Sequence, residues 1–300
     1  MDKKYPLGKV INLGSSSIGN SFYIELYRKD YPNPFRLLIE CGFEFPELSK
    51  RLLDKGISIN DINAILVTHE HKDHSASVPT LVARKKKVFA PLSVYERYGI
   101  SDKVERGSII TEKTTKGIAD GITVLGMPLD HENDDGSKTY NLGYIITVDS
   151  WFNILFITDT KHIRWNLSEY QFNVIFIEAN NLHRVIYNAI KNAIENHNKW
   201  EEIHYNRVLK SHMLVENTGK TLQTFDLSKT DIIFLIHLSA NTIINTFEFK
   251  DIVKKYLKEN NQFRTVSYMD KKTKLPRTTL KPKIVVAKRN GDFSWWNYLI

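Results

Sequence analysis

The segment Thr68-His69-Glu70-His71-Lys72-Asp73-His74 constrains this chain more than any other. Three imidazoles and a carboxylate fall within the six positions from His69 to His74, out of only 10 histidines in 300 residues. That concentration makes a merely solvated, His-rich turn a poor account of it. The segment directly follows Ala64–Val67, an apolar run of strand length. Neutral imidazole is the commonest metal-binding side chain near neutral pH. His69 and His71 stand two apart, so on an extended backbone both side chains point to one face. Asp73 and His74, in the turn that follows, can then serve a second cation about 3.5–4 Å from the first. A fold that uses this segment must end a buried strand at a pocket and bring further ligands there from distant parts of the chain.

The surrounding sequence supplies strands and helices for such a fold. Lys9–Leu13, Phe22–Leu26 and Arg36–Ile39 are short runs rich in β-branched or aromatic residues, bounded by Gly, Ser, Asn or Pro, and read as strands. Pro46–Lys55 places Leu48, Leu52 and Leu53 at helical spacing. After the strand Ala64–Val67, the pattern predicts a helix over Ser75–Lys85 and a strand over Val88–Ala90. In the second half, Ile122–Met127, Tyr144–Val148, Phe152–Ile157, Val174–Ile177 and Ile232–Ile236 read as strands, with Lys283–Ala287 as the last. His183–Glu195, Asn217–Thr224 and Thr242–Leu257 read as helices, and the Lys-, Arg-, Thr- and Pro-rich tract Asp270–Lys283 as an exposed loop. There is no internal repeat and no low-complexity linker. The twice-told order of strands and helices predicts one α/β domain over residues 1–300, an αββα sandwich of two mixed sheets face to face with helices outside.

Composition narrows the class of protein. Hydrophobic residues make up 42% and charged residues 25%, which suits a globular chain able to bury a core. A single cysteine, Cys41, rules out an internal disulfide. No stretch approaches the roughly 18 apolar residues of a membrane helix, and Met-Asp-Lys-Lys-Tyr-Pro-Leu at the start carries no apolar run of signal-peptide length. The expectation is a cytoplasmic protein with no membrane partner. The net charge of +8 and a pI near 9.2 favour anionic partners, phosphodiesters among them, although a bias toward Lys and Asn gives the same figure.

A two-cation site needs ligands beyond the cluster. The other histidines are His131, His162, His183, His197, His204, His212 and His237. His131 follows a strand and precedes the loop Glu132–Ser137. Asp159 lies just past the strand Phe152–Ile157, where a carboxylate can bridge two cations, although Asp is also a common turn former there. His237 ends the apolar run Asp231–Ile236, the same placement as His69, and His212 precedes a helix. Both follow Asp159, so order alone allows either to be the last ligand. His237, at the end of a buried strand, is the better held, as a ligand must be. Glu40 and Glu178 are candidates to accept a hydrogen bond from the far side of ligand imidazoles.

The pattern His-x-His-x-Asp-His at 69–74, followed in order by His131, Asp159 and His237, resembles the signature of the metallo-β-lactamase superfamily. Within it the chain most resembles the WalJ/YycJ group and its relatives RNase Z and PhnP. Leu13-Gly14-Ser15-Ser16-Ser17-Ile18-Gly19-Asn20 is similar to that group's opening turn. Ile39-Glu40-Cys41-Gly42 is similar to its first strand end, with Glu where Asp is usual. Phe176-Ile177-Glu178-Ala179-Asn180 and Leu235-Ile236-His237-Leu238-Ser239 are similar to two later motifs. The chain departs from the group at Ser211-His212-Met213-Leu214, where the group has His-Leu-Ser, and in a longer, more charged stretch from Asn181 to Lys210.

The resemblance implies His69, His71 and His131 on one metal, Asp73, His74 and His237 on the other, and Asp159 between them. It implies a dinuclear hydrolase that uses a metal-bridging hydroxide, with His212 and Asp73 as catalytic residues, His212 protonating the leaving group. Two divalent ions are the expected cofactors, Zn2+ first and Mn2+ as the alternative, since imidazole and carboxylate accept both. The first function implied is a phosphodiesterase acting on DNA or RNA, favoured by the Arg84–Lys87 and Lys271–Lys283 basic runs. The second is a phosphodiesterase for a small substrate such as a cyclic nucleotide. A fold that had lost its chemistry would not keep all seven ligand-type residues, and the group resemblance points away from β-lactam, thioester or lactone hydrolysis. The oligomeric state stays open, a homodimer included.

Overall fold

The computed structural model describes residues 6–132, 136–239, 245–269, 275–289, 291 and 293–296. Two sheets stack face to face. The first contains β1 (Leu7–Ser16), β2 (Gly19–Leu26), β3 (Phe35–Ile39), β4 (Ala64–Leu66) and β5 (Val88–Phe89). The second is built from β6 (Thr115–Ala119), β7 (Ile122–Glu132), β8 (Lys138–Val148), β9 (Phe152–Ile157), β10 (Val174–Glu178), β11 (Ile232–Ile236) and, after a separate two-stranded ribbon of β12 (Arg264–Met269) and β13 (Pro276–Lys281), β14 (Lys283–Val286). β15 (Phe293–Trp296) returns to the first sheet, whose order is β15-β1-β2-β3-β4-β5, against β14-β11-β10-β9-β8-β7-β6 in the second.

Eight α-helices accompany them among the described residues: α1 (Phe45–Leu53), α2 (Lys72–Ser75), α3 (Val78–Ala83), α4 (Leu92–Arg97), α5 (His183–Glu195), α6 (Lys199–Ser211), α7 (Val215–Gln223) and α8 (Thr246–Glu259). Leu48 and Leu52 of α1, Val78 and Leu81 of α3, and Val94 and Tyr95 of α4 pack on the outer face of the first sheet. Val215 and Leu222 of α7 and Phe249, Val253 and Leu257 of α8 cover the second. The α/β sandwich with helices outside is therefore the architecture that forms. β10 and β11, Val-Ile-Phe-Ile-Glu and Ile-Ile-Phe-Leu-Ile, are buried at every position, as parallel strands covered on both faces must be. Between the sheets Phe22 meets Phe156 and Phe176 edge-on at 5.8 and 5.7 Å, and Phe176 stacks on Phe234 at 4.6 Å.

Strand direction places the site. β3, β4 and β5 run parallel to one another in the first sheet, and β9, β10, β11 and β14 in the second. Glu40, His69, Asp159, Glu178 and His237 lie at or just beyond the carboxyl ends of β3, β4, β9, β10 and β11. Open α/β sheets bind ligands at that edge.

Several local expectations change. The tract Asp270–Lys283 is not all loop: residues 270–274 lie outside the described residues, but Pro276–Lys281 is β13, paired with Arg264–Met269, and Lys283 opens β14. The residues of β13 are nearly all exposed, so no buried alternation marked the strand in the sequence. β7 runs through Glu132 instead of stopping at Met127, so His131 sits on a strand, paired opposite Thr139 of β8. The helix Ser75–Lys85 is two helices, because Pro79 can stand only at the start of a helix and begins a new one near Ser77. α8 starts at Thr246, where Asn245 accepts from the backbone N–H groups of Phe247 and Glu248; residues 242–244 lie outside the described residues. Lys283–Ala287 is not the last strand, since β15 follows it. α4, α6 and β6 were not expected.

Candidate metal centre

The turn after β4 is held by the first sheet. Gly42 packs so closely on it that a Cβ there would lie 1.7 Å from the Asp73 carbonyl oxygen. Cys41 N–H donates to His74 O at 2.9 Å, and Asn20 Nδ2 donates to Ser16 O at 2.9 Å and Asp73 O at 3.2 Å. The short turn at Ser17-Ile18 and the glycine at 42 thus fix where His69, His71, Asp73 and His74 point.

All seven expected ligands converge. His69, His71, His131 and Asp159 form one group with ligand atoms within 4.8 Å of one another, and Asp73, His74, Asp159 and His237 form a second. Asp159 belongs to both, its Oδ2 lying 3.7 Å from His69 Nε2, 3.4 Å from His74 Nε2 and 3.6 Å from His131 Nε2, and its Oδ1 3.1 Å from His237 Nε2. His131 Nε2 and His71 Nδ1 face each other at 3.1 Å. His162 instead lies 3.4 Å from Asp130 on the surface, outside these groups.

The residues fit a pair of cations. His69 Nε2 and His237 Nε2 are buried and make no hydrogen bond, and a buried donor or acceptor left so is costly unless something else meets it. Burial, reinforced by the neighbouring His74, holds the His69 imidazole well below its ordinary pKa, and burial pulls His131 down to about 4. Both imidazoles are therefore neutral at pH 7, the form in which a histidine can bind a cation. Burial also disfavours charge on His237, but Asp159, Asp73 and Glu178 outweigh it and push its pKa up to about 10. These carboxylates, two buried and Asp73 half-buried, favour positive charge between them, which a divalent ion would supply in place of a proton on His237.

A surrounding layer of hydrogen bonds orients the ligands. Glu40 Oε1 accepts from Thr68 Oγ1 at 2.6 Å and lies 3.4 Å from His74 Nδ1. Glu178 Oε1 lies 3.0 Å from His237 Nδ1 and 2.7 Å from His212 Nδ1, while Oε2 accepts the backbone N–H of Thr160 at 2.9 Å and of Met213 at 3.2 Å. Both glutamates were legible beforehand; Ser15, Asn141 and Asn180 were not assigned roles. Ser15 Oγ accepts His237 N–H at 2.7 Å, Asn141 Nδ2 donates to Asp159 O at 2.8 Å, and Asn180 Nδ2 donates to His237 O at 3.1 Å. These hold backbone that is locally left-handed at Asp159 (φ 50°) and His237 (φ 55°), and Ser21 Oγ, donating to Glu40 O at 2.9 Å, does the same at Glu40 (φ 62°). Non-glycine residues adopt that region rarely, and such positions cluster at functional sites.

Above the ligands opens a cavity of about 760 Å3, lined by His71, Asp73, His131, Asp159, His212 and His237 among others. His212 stands outside those two groups but forms a third with Asp159, Glu178 and His237, its ligand-type atoms also within 4.8 Å of theirs; it stacks on His237 at 5.3 Å and borders the cavity.

A two-sheet sandwich with this His/Asp cluster at its strand ends defines a class of metal-dependent hydrolases. Residues 35–238 match the family model described as the beta-lactamase superfamily domain, and the chain belongs to the metallo-β-lactamase superfamily. Over 73 residues it is 40% identical to the exodeoxyribonuclease WalJ of Streptococcus pneumoniae, covering 24% of each chain. Over 63 residues it is 36% identical to ribonuclease Z of Methanopyrus kandleri, 19% of this chain and 22% of that one. The match thus spans about a quarter of the length of these curated relatives. The metallo-β-lactamase fold protein YhfI of Bacillus subtilis superposes over 97% of this chain and 99% of its own, with a TM-score of 0.59 at 14% identity. Among the described residues no helix is long and apolar enough to cross a membrane.

Proposed function

We propose that the chain is a dinuclear metal-dependent phosphodiesterase acting on nucleic acid. The observation that carries this reading is the pairing of a seven-residue ligand cluster with a hydrogen-bonded His212–Glu178 pair at its edge. His69, His71 and His131 would hold one divalent ion, Asp73, His74 and His237 the other, with Asp159 shared. Zinc suits the imidazole-rich set, and manganese is the alternative. Two such ions lower the pKa of water and offset negative charge on a phosphoryl oxygen.

The protein's own groups do the rest. Glu178 accepts from His212 Nδ1–H and so orients the ring, leaving Nε2 as the nitrogen that can hand a proton to a departing alkoxide. The same carboxylate oxygen accepts from His237 Nδ1–H, which directs the His237 Nε2 lone pair into the ligand cluster. Asp73, beyond its place as a ligand, lines the cavity floor where substrate enters. A sugar alkoxide is a poor leaving group without a proton, so a positioned acid suits phosphodiester cleavage. The net charge of +8 suits a polyanionic substrate. Two sequence relatives matched over about a quarter of the chain or less, WalJ and ribonuclease Z, are nucleases by name, which supports nucleic acid as substrate.

The test is hydrolysis by metal-loaded protein of bis-p-nitrophenyl phosphate, cyclic mononucleotides, and single- and double-stranded DNA and RNA. Turnover of DNA or RNA well above that of cyclic mononucleotides is expected. Cyclic mononucleotides as the preferred substrate would replace the reading with the small-substrate one.

A further inference from the structure

We propose that Arg97 binds a phosphate next to the scissile one, so that the site takes a strand with at least two phosphodiesters in preference to an isolated one. The inference rests on the phosphodiesterase reading above. Three cationic side chains line the cavity: Lys72, Arg97 and Arg207. Lys72 is engaged by Glu44 at 2.8 Å. Arg97 is exposed at the end of α4, and among the described residues it has no ion-pair partner. Two carboxylates outside the ligand set also line the cavity, Glu70 and Glu132, and Glu70 is taken up by Ser93 Oγ at 3.0 Å.

The position of Arg97 is fixed relative to the ligands. α4 is tied to the ligand turn twice: Ser93 bonds Glu70, which stands between His69 and His71, and the Tyr98 hydroxyl lies 3.0 Å from Ser75 Oγ, directly after His74. Tyr95 OH donates to Val88 O at 2.7 Å and anchors the helix to β5. Arg97 follows Ser93 by four residues, so both occupy one helix face, and both line the cavity. The ligands His69, His74, Asp159 and His237 are buried at the floor, whereas Arg97 stands exposed at the rim. A phosphate seated on the floor therefore leaves Arg97 to meet its neighbour along the strand. The planar guanidinium fork matches phosphate oxygens in a bidentate contact, which is geometric as well as electrostatic.

The test is binding of a fluorescein-labelled single-stranded DNA 12-mer by the metal-free full-length protein, followed by fluorescence anisotropy as salt is raised. Wild type, Arg97→Ala and Arg97→Lys are compared. Each phosphate contact on a single strand contributes about −0.7 to the slope of log K against log salt. Arg97→Ala is expected to flatten the slope by about that amount and weaken binding several-fold at low salt, whereas Arg97→Lys should keep the slope and weaken binding less. An unchanged slope and affinity in Arg97→Ala, or no binding by the wild type, overturns the inference. Hydrolysis by the metal-loaded proteins separates it from the broader reading. Wild type that binds the 12-mer through Arg97 yet cleaves no phosphodiester keeps the Arg97–phosphate contact, and sinks the phosphodiesterase assignment and with it the placing of that phosphate beside a scissile one. When cleavage occurs, the KM rise in Arg97→Ala should be larger on the 12-mer than on bis-p-nitrophenyl phosphate. Equal loss on both contradicts a contact to the neighbouring phosphate.

Discussion

Glu178 Oε1 lies 2.7 Å from His212 Nδ1, and the same oxygen lies 3.0 Å from His237 Nδ1. One buried carboxylate thus orients both the proposed proton donor and a proposed ligand. Glu178→Gln keeps the size of the side chain but removes the carboxylate that accepts from His212 Nδ1 and holds the ring in place. It should lower turnover of a natural phosphodiester by about 10²-fold or more, and bis-p-nitrophenyl phosphate by less, because p-nitrophenolate departs without a proton. Metal affinity should also fall, by about 10–100-fold. Equal loss on both substrates with unchanged metal affinity would contradict the dual role.

His212 and His237 can be told apart by metal content. His212→Ala should keep full metal while losing about 10²–10⁴-fold in rate on substrates with an alkoxide leaving group. His237→Ala should lose metal. The reverse pattern, measured by elemental analysis of the two variants, would exchange their roles.

Gly42 shows how tightly the ligand turn is held. Gly42→Ala would place a Cβ 1.7 Å from the Asp73 carbonyl, so one of the two backbones must move. A loss of about 1–3 kcal/mol in denaturant unfolding is expected, together with weaker metal binding. A variant as stable as wild type with full metal would show that the turn tolerates displacement.

Most of the architecture was legible because the hydrophobic period is strong where strands are buried. Ile232–Ile236 and Phe152–Ile157 were bounded correctly from apolar runs alone, and His183–Glu195 from helical spacing. The ligand cluster was legible because four of its members are adjacent in sequence. The sequence puts His131 past the end of its strand, between Met127 and the loop Glu132–Ser137, because Pro128 and Asp130 break the apolar run; β7 continues by pairing with β8 across its full length. α6 was missed because its low apolar contrast carries little helical signal; Val208 and Ser211 are its buried residues. Arg97, Ser93 and Asn141 could not be found beforehand, since their roles come from packing between segments far apart in the chain.

The aromatic layer between the sheets should carry much of the stability. Phe176 is fully buried and meets Phe22, Phe156 and Phe234. Phe176→Ala should cost about 3–5 kcal/mol, read by urea denaturation. A loss below about 1 kcal/mol would mean that the two sheets close over the cavity.

The shared carboxylate tests the central claim most directly. Elemental analysis of protein reconstituted with zinc or manganese should give two equivalents per chain, and Asp159→Ala should hold one or none with unchanged circular dichroism. Asp149→Ala is the control: Asp149 lies at the turn between β8 and β9, accepts Lys29 N–H at 2.7 Å, and belongs to neither ligand group, so two equivalents should remain. A folded wild type that binds no metal after reconstitution, or an Asp159→Ala variant that keeps two equivalents, would contradict the dinuclear account.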